Sequence, residues 1–456
     1  MLLPGLGDLL AHGGGEGVSL VGCDVADWDD QRWRRRVARS FAAGGARGDR
    51  VDAVVQSTLY RRADVTVESD WRRLLVDVGE EVAIYFALQP QVTEAACQTL
   101  TGVRLPAATR LVMEKPFGHD ATSAHALNEL VTQLVPEEQV YRVDHFLGMS
   151  TVLNLAGARF GNRIFEPLLS AQHVSSVDIV FDETLGLEGR ASYYDRAGAL
   201  VDMLQSHLLQ VLSVVAMESP GTLDERDIRD AKAAVLGATR VWNHDPVASS
   251  YRARYTAGKV GGRELPSYVD EDGIPPKSTT ETLAEVVLAV DTQRWAGVPF
   301  RLRSGKALNN PRQEVVFTFK RPRHVPAGFR GGEQPERLHI GIAPDAVQLS
   351  VDLNLNGPGD PQVLSATTFA ADLGPGRLAE YGEVLKTLLE GDATLSVRGD
   401  MAVDGWLIIE PVLDVWRENR VSLQEYPAGS TGPEGWPLSG VSPTSPSTLV
   451  DSRRAA

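Results

Sequence analysis

A chain of 456 residues with 43% hydrophobic and 23% charged residues is globular and long enough to bury more than one core, so two domains are expected. The formal net charge of −15 argues against nucleic-acid and membrane-surface partners, which call for a basic face; an anionic ligand would need locally concentrated lysine or histidine. Cys23 and Cys97 alone indicate neither a disulfide framework nor a zinc cluster, and with no leader pattern and no apolar run of the roughly 18 residues a spanning helix needs, the cytoplasm is the expected compartment.

Gly5-Leu6-Gly7 invites a dinucleotide-loop reading, but only four residues precede it and no third glycine follows at the required spacing. Residues 18–22 read as a short buried strand, and Asp27-Trp28-Asp29-Asp30 as the capped start of a helix carrying Arg32, Trp33, Arg34, Arg35 and Arg36. That basic run is either a phosphate patch or a solvated helix face balanced by its acidic start. The runs 82–88 and 110–114 are compact and apolar and end in polar residues or proline. Strands of that kind between helical stretches predict a parallel sheet with helices on its faces. After about residue 150 the runs 177–183, 315–320 and 347–353 alternate or nearly so, which predicts a second, largely antiparallel sheet with one covered face. From Pro427 the chain is rich in Gly, Ser and Pro, and its last dozen residues are expected to be disordered.

The chemistry concentrates in three runs. Glu114-Lys115-Pro116-Phe117-Gly118-His119-Asp120 and Arg142-Val143-Asp144-His145-Phe146-Leu147-Gly148 place a lysine, a carboxylate and a histidine on strand-to-loop segments, the parts needed to hold a phosphosugar and move a proton. The third extends from Glu183-Thr184-Leu185-Gly186-Leu187-Glu188-Gly189-Arg190 through Tyr193-Tyr194-Asp195 and Asp202-Met203 to Gln205-Ser206-His207 and Gln210. At 100° per residue, Asp202 and His207 would lie about 140° apart around an α-helix, lining two edges of one cleft without stacking. Taken alone, His207 is a general base or a satisfied core histidine, and Asp202 a ligand or a buried hydrogen-bond partner.

These runs resemble the signatures of the glucose-6-phosphate dehydrogenase family, and the resemblance continues through Arg303-Ser304-Gly305-Lys306, Gly391-Asp392, Trp406 and Tyr426-Pro427-Ala428-Gly429-Ser430, nearly the whole chain. It implies a Rossmann-like doubly wound α/β domain, residues 1–148, truncated at its start, followed by a larger α+β substrate and dimerisation domain, residues 149–456, with a mainly antiparallel sheet. The activity it implies is oxidation of glucose 6-phosphate to 6-phosphoglucono-lactone with hydride transfer to NADP, the first step of the oxidative pentose phosphate pathway. By the same resemblance His207 is the base for the C1 hydroxyl proton, a task that suits a histidine near its normal pKa, and Asp144 orients it. Glu183 and Asp202 hydrogen-bond sugar hydroxyls, Lys115 sits between sugar and cofactor with Pro116 beside the cofactor, His145 contacts the phosphate and Lys306 completes the pocket. A homodimer or homotetramer built through the large sheet is implied as well.

The match departs at several places. Phe146 and Met149 stand where the family has tyrosine and lysine; losing one charge-assisted phosphate contact costs about 1.5–3 kcal/mol, and Arg312 is the candidate to compensate. Leu2-Leu3-Pro4 aligns with the segment after the family's glycine loop, so the first strand, that loop and its following lysine are expected to be missing, and an upstream start would restore them. Val25 replaces the arginine that grips the 2′-phosphate of NADP, while Asp24 is either an acid favouring NAD or a turn residue. NADP is therefore expected, with NAD as the alternative. The competing readings are a related sugar dehydrogenase using NAD and a non-catalytic or regulatory paralogue subunit.

Overall fold

The computed structural model describes residues 2–76, 78–309, 311–343, 348–356, 359–372 and 374–436. The expected disordered tail lies outside them.

Helix α1 (Leu2–Ala11) opens the chain and buries Gly5, Leu6, Gly7, Leu9 and Leu10. Its glycines serve close packing, in line with the sequence reading that they form no phosphate loop. A Cβ on Gly5 would stand 2.5 Å from Tyr381 Cβ, and one on Gly7 2.9 Å from the Phe41 ring. Strand β1 (Val21–Asp24) pairs in parallel with β2 (Leu59–Arg62). The buried strand expected at 18–22 is thus shifted, and only Gly22 of β1 is buried, because the two strands form a sheet of their own. Helix α2 (Asp30–Ala43) starts as the sequence indicates, with Asp29 accepting the Arg32 N–H at 2.7 Å.

Strands β3 (Glu81–Phe86), β4 (Ala108–Glu114) and β5 (Val140–Val143) run parallel, and Ser396–Val397 returns from far along the chain to pair antiparallel with β5. Side chains of β4 alternate between two cores: Val112 packs with Leu6, Phe41 and Leu385, Leu111 and Met113 with Phe86, Cys97 and Val131. Helices on both faces follow from that alternation.

The second sheet has eleven strands among the described residues. At its centre β6 (Val174–Asp182) lies between Gln313–Phe319, antiparallel, and Pro299–Gly305, parallel. A single covered face holds toward the outer strands, where Val363–Asp372 is largely exposed. It fails in the middle: Leu283–Val290 and Pro299–Gly305 are buried throughout. The reason is a charged layer on the second face, Asp178, Asp182, Glu285, Arg301 and Arg303, covered in part by the segment carrying Thr431 and Trp436.

The apolar face packs on Leu200–Leu208, a π-helix, which continues as the helix Leu209–Ala216. Contrary to expectation, Tyr193–Ala216 is long and apolar enough to cross a membrane by length and composition, yet 83% of its most apolar window is buried inside the protein. Surrounded by core on all sides, a helix becomes apolar all round.

Candidate active site

The site forms where the carboxyl ends of β4 and β5 meet the π-helix. Lys115 follows β4, joined by a cis peptide to Pro116. Its Nζ donates to the Asp202 carbonyl at 2.7 Å, to the Asp202 carboxylate at 3.0 Å and to Ser206 Oγ at 3.4 Å. The Tyr193 hydroxyl donates to the same carboxylate at 3.2 Å. After β5, Asp144 caps the 3-10 turn His145–Gly148 by accepting the Phe146 N–H at 3.0 Å. The same oxygen meets His207 Nδ1 at 2.6 Å.

The π-helix changes the expected angular relation between Asp202 and His207. Its hydrogen bonds span five residues, as in Leu209 N–H to the Leu204 carbonyl, so residues five apart come to nearly the same side. The α-helical separation of about 140° therefore collapses, and both side chains address one cleft.

Burial would raise the Asp144 carboxyl, but the charge and hydrogen bond of His207 outweigh it and hold Asp144 well below the usual carboxylate range. Burial lowers His207, opposed mainly by the Asp144 carboxylate. The ring is thus neutral near pH 7; with Nδ1 engaged by Asp144, the hydrogen-bond network assigns the proton there and leaves Nε2 as the basic nitrogen. Burial, joined by the neighbouring His207, pushes His145 down to about 3. Asp202 is held at about 2 because Lys115 overcomes its burial.

Three rings fix the imidazoles. Phe146 stacks on His207 with centroids 4.1 Å apart, His145 meets His207 edge-on at 4.7 Å, and Tyr381 stacks on His145 at 5.6 Å. Asp144, His145 and His207 offer ligand atoms within 4.8 Å of one another. The 2.6 Å contact is nonetheless a hydrogen bond, shorter than the about 3.4 Å between two ligands of a tetrahedral ion at about 2.1 Å.

On the far side, Lys306 Nζ donates to Glu183 at 2.6 Å, where β6 and Pro299–Gly305 end side by side. Lys306 is buried, lies 5.4 Å from the Tyr194 ring centroid, and its charge reaches Asp202. Arg312 pairs with Glu314 at 3.0 Å and lines a cleft of about 540 Å³ with Glu183 and His339, so it stands on the Glu183 side of the site. Met149 is 3% exposed and belongs to the apolar core with Phe146, Leu147 and Val152, so this position carries packing and no charge.

The structure thus joins Lys115 to Asp202, and Asp144 and His145 to His207, through direct contacts, lets the charges of Lys115 and Asp202 act on His207, and sets the Glu183–Lys306 pair beside them. Ser206 and Tyr193 lay within the quoted motif without a role. Tyr381 carried no local signal, since only tertiary packing of the helix Glu380–Glu390 brings it to His145.

Residues 1–154 match the pattern described as "Glucose-6-phosphate dehydrogenase, NAD binding domain", and residues 156–437 match "Glucose-6-phosphate dehydrogenase, C-terminal domain". The chain belongs to the glucose-6-phosphate dehydrogenase family. It is 36% identical to a glucose-6-phosphate 1-dehydrogenase of Zymomonas mobilis, over 95% of this chain and 93% of that protein. With the Bacillus subtilis glucose-6-phosphate 1-dehydrogenase it shares 33% identity over 92% of this chain and 89% of the other. Among solved structures, the glucose-6-phosphate 1-dehydrogenase of Mycobacterium avium superposes with a TM-score of 0.84 at 29% identity, covering 95% of this chain and 92% of that one. A glucose-6-phosphate dehydrogenase in complex with its substrate glucose-6-phosphate superposes with the same TM-score of 0.84 at 28% identity and the same coverage, 95% and 92%. Family membership gives the large mixed sheet and the doubly wound unit one common frame, with His207 and Asp144 where the π-helix meets the end of β5.

Proposed function

We propose that the protein oxidises glucose 6-phosphate to 6-phosphoglucono-lactone, the first step of the oxidative pentose phosphate pathway, with NADP as the hydride acceptor. The observation that carries this reading is the His207–Asp144 hydrogen bond of 2.6 Å, buried beside the carboxyl ends of β4 and β5. Ligands of doubly wound sheets bind outside such strand ends.

A nicotinamide held beside Lys115 and Pro116 would supply the hydride acceptor for C1. His207 Nε2 takes the proton of the C1 hydroxyl, and Asp144 stabilises the imidazolium that results. Asp202 and Glu183 receive sugar hydroxyls; each is already oriented by a lysine, Lys115 or Lys306, which cuts the ordering cost on binding. His145 faces the phosphate, whose negative charge would raise its affinity for a proton. Lys115 and Pro116 stand between sugar and cofactor.

NADP is favoured over NAD by two details at the carboxyl end of β1. Asp24 Oδ1 accepts the Ala26 N–H at 3.1 Å, which gives the acid the turn role open to it in place of a cofactor contact. Arg62, paired in register with Asp24, donates to the Val25 carbonyl at 3.1 Å and brings a guanidinium to the position where Val25 carries none. A guanidinium there suits a 2′-phosphate.

We place the domain division at 148/149, a homodimer or homotetramer contact on the large sheet, where Phe369 is 55% exposed, and the protein in the cytoplasm, with both cysteines unpaired. The test is the appearance of reduced nicotinamide with glucose 6-phosphate, run in parallel with NADP and NAD. Turnover with the phosphosugar, faster with NADP and lost with unphosphorylated glucose, is the expected result. A folded chain that reduces neither cofactor would refute it.

A further inference from the structure

The helix Glu225–Gly237 buries a stripe of Ile228, Arg229, Lys232, Ala233, Val235 and Leu236. Two of these carry charge. Arg229 is answered by Glu225 at 2.6 Å and Glu137 at 3.1 Å. Lys232, one turn further on, is 1% exposed, and its Nζ has no hydrogen-bond partner among the described residues. An ammonium in such surroundings is costly unless an anion acts on it. Among the described residues, Asp144 is the carboxylate that acts on Lys232. The route is short: the helix packs on Leu209–Ala216, which packs in turn on the turn His145–Gly148 that Asp144 caps. Gln210 Oε1 on the intervening helix, and Thr151 Oγ1 on the helix Ser150–Phe160 that packs beside it, are likewise buried without a partner.

We propose that Lys232 is a positioning residue for the catalytic pair, its buried ammonium acting on the Asp144 carboxylate from the side of the helix Glu225–Gly237 and so setting how strongly Asp144 draws a proton to His207. Asp144 then serves the forming imidazolium while Lys115 acts on it from the cleft and Lys232 from the core side. Burial brings the Lys232 amine down to about 7, opposed by Asp144 and assisted by Arg229. The charged and titratable groups facing this pair are Arg229 with Glu225 and Glu137, Asp400 from the helix Gly399–Arg417 acting on Arg229, and His145 and Lys115 acting on Asp144.

The sign follows. Asp144 raises the His207 pKa, and a cation on Asp144 offsets that. Lys232→Met, which keeps the chain length and removes the charge, should raise the His207 pKa, shift the acid limb of kcat/KM upward by about one pH unit and leave KM for glucose 6-phosphate within about twofold. This rests on the proposed activity, so the decisive reading avoids turnover: titration of the His207 Cε1–H by NMR in the full unliganded chain. An unmoved His207 titration in folded Lys232→Met overturns the proposal even where the parent enzyme is active; an inactive parent bears on the activity instead. If Lys232→Met does not fold, the double variant with Asp144→Asn should recover a cooperative transition, because the uncompensated buried carboxylate is gone. Absence of that recovery, or strictly additive changes in thermal midpoint, would also overturn it.

Discussion

Phe146 lies flat on His207, its ring plane 9° from parallel and its centroid 4.1 Å away. The imidazole is thus held along its face by carbon and at its edge by Asp144. Phe146→Ala removes a buried ring and should cost about 3–5 kcal/mol of stability. It should also lower kcat per folded molecule, as the base loses its fixed plane. A fall in thermal midpoint with unchanged kcat would limit Phe146 to packing.

His207→Asn should reduce kcat by about 10²–10⁴-fold and leave KM for glucose 6-phosphate nearly unchanged, the pattern of a lost general base. Equal loss of binding and turnover would instead assign His207 a structural role.

Asp144→Asn removes the anion that raises the His207 pKa. Its expected result is a lower kcat together with an acid limb moved to lower pH, the direction opposite to that for Lys232→Met. A pH profile of kcat/KM from about pH 5 to 9 reads both signs.

Arg62→Ala should raise KM for NADP about ten- to hundred-fold, the value of one charge-assisted contact of about 1.5–3 kcal/mol, and leave KM for NAD unchanged. Steady-state kinetics with both cofactors check this; equal changes in both would place Arg62 outside the 2′-phosphate site.

Glu285 is fully buried, and burial drives its carboxyl up to about 7 despite Arg301 at 3.3 Å and Arg303 at 4.0 Å. A carboxyl whose folded pKa is raised stabilises the fold fully below its unfolded pKa of about 4.3, and that contribution is lost as pH rises to about 7. Glu285→Gln should therefore gain on its parent through that window and melt about 2 °C higher at pH 8. A constant difference in midpoint from pH 4 to 8 would contradict the assignment.

The doubly wound unit was legible because its strands are apolar runs that end in chemistry-bearing residues, Glu114-Lys115 and Val143-Asp144. The Asp29 cap was legible from local residue types alone. What escaped the sequence depended on distance or on a local rule being broken. The π-helix is invisible to a 100° periodicity, so Asp202 and His207 read as lining two edges of a cleft about 140° apart. That Met149 packs in the core with Phe146 and Val152 also took the fold to see, since sequence showed only that no lysine stands there. The charged layer of Asp178, Glu285 and Arg301 broke the apolar–polar alternation rule, since charges paired across strands can be buried where isolated ones cannot.

Gly5 leaves room for Tyr381, whose Cβ would stand 2.5 Å from any Cβ at that position, and Tyr381 in turn stacks on His145. The imidazole pair is therefore braced by a residue from the last fifth of the chain seated against one from its first turn. During synthesis, the segments bearing Asp144 and His207 emerge well before Tyr381. The ring that stacks on His145 is in place only when that late helix docks, so a ribosome-bound chain halted before Tyr381 carries Asp144 and His207 without it.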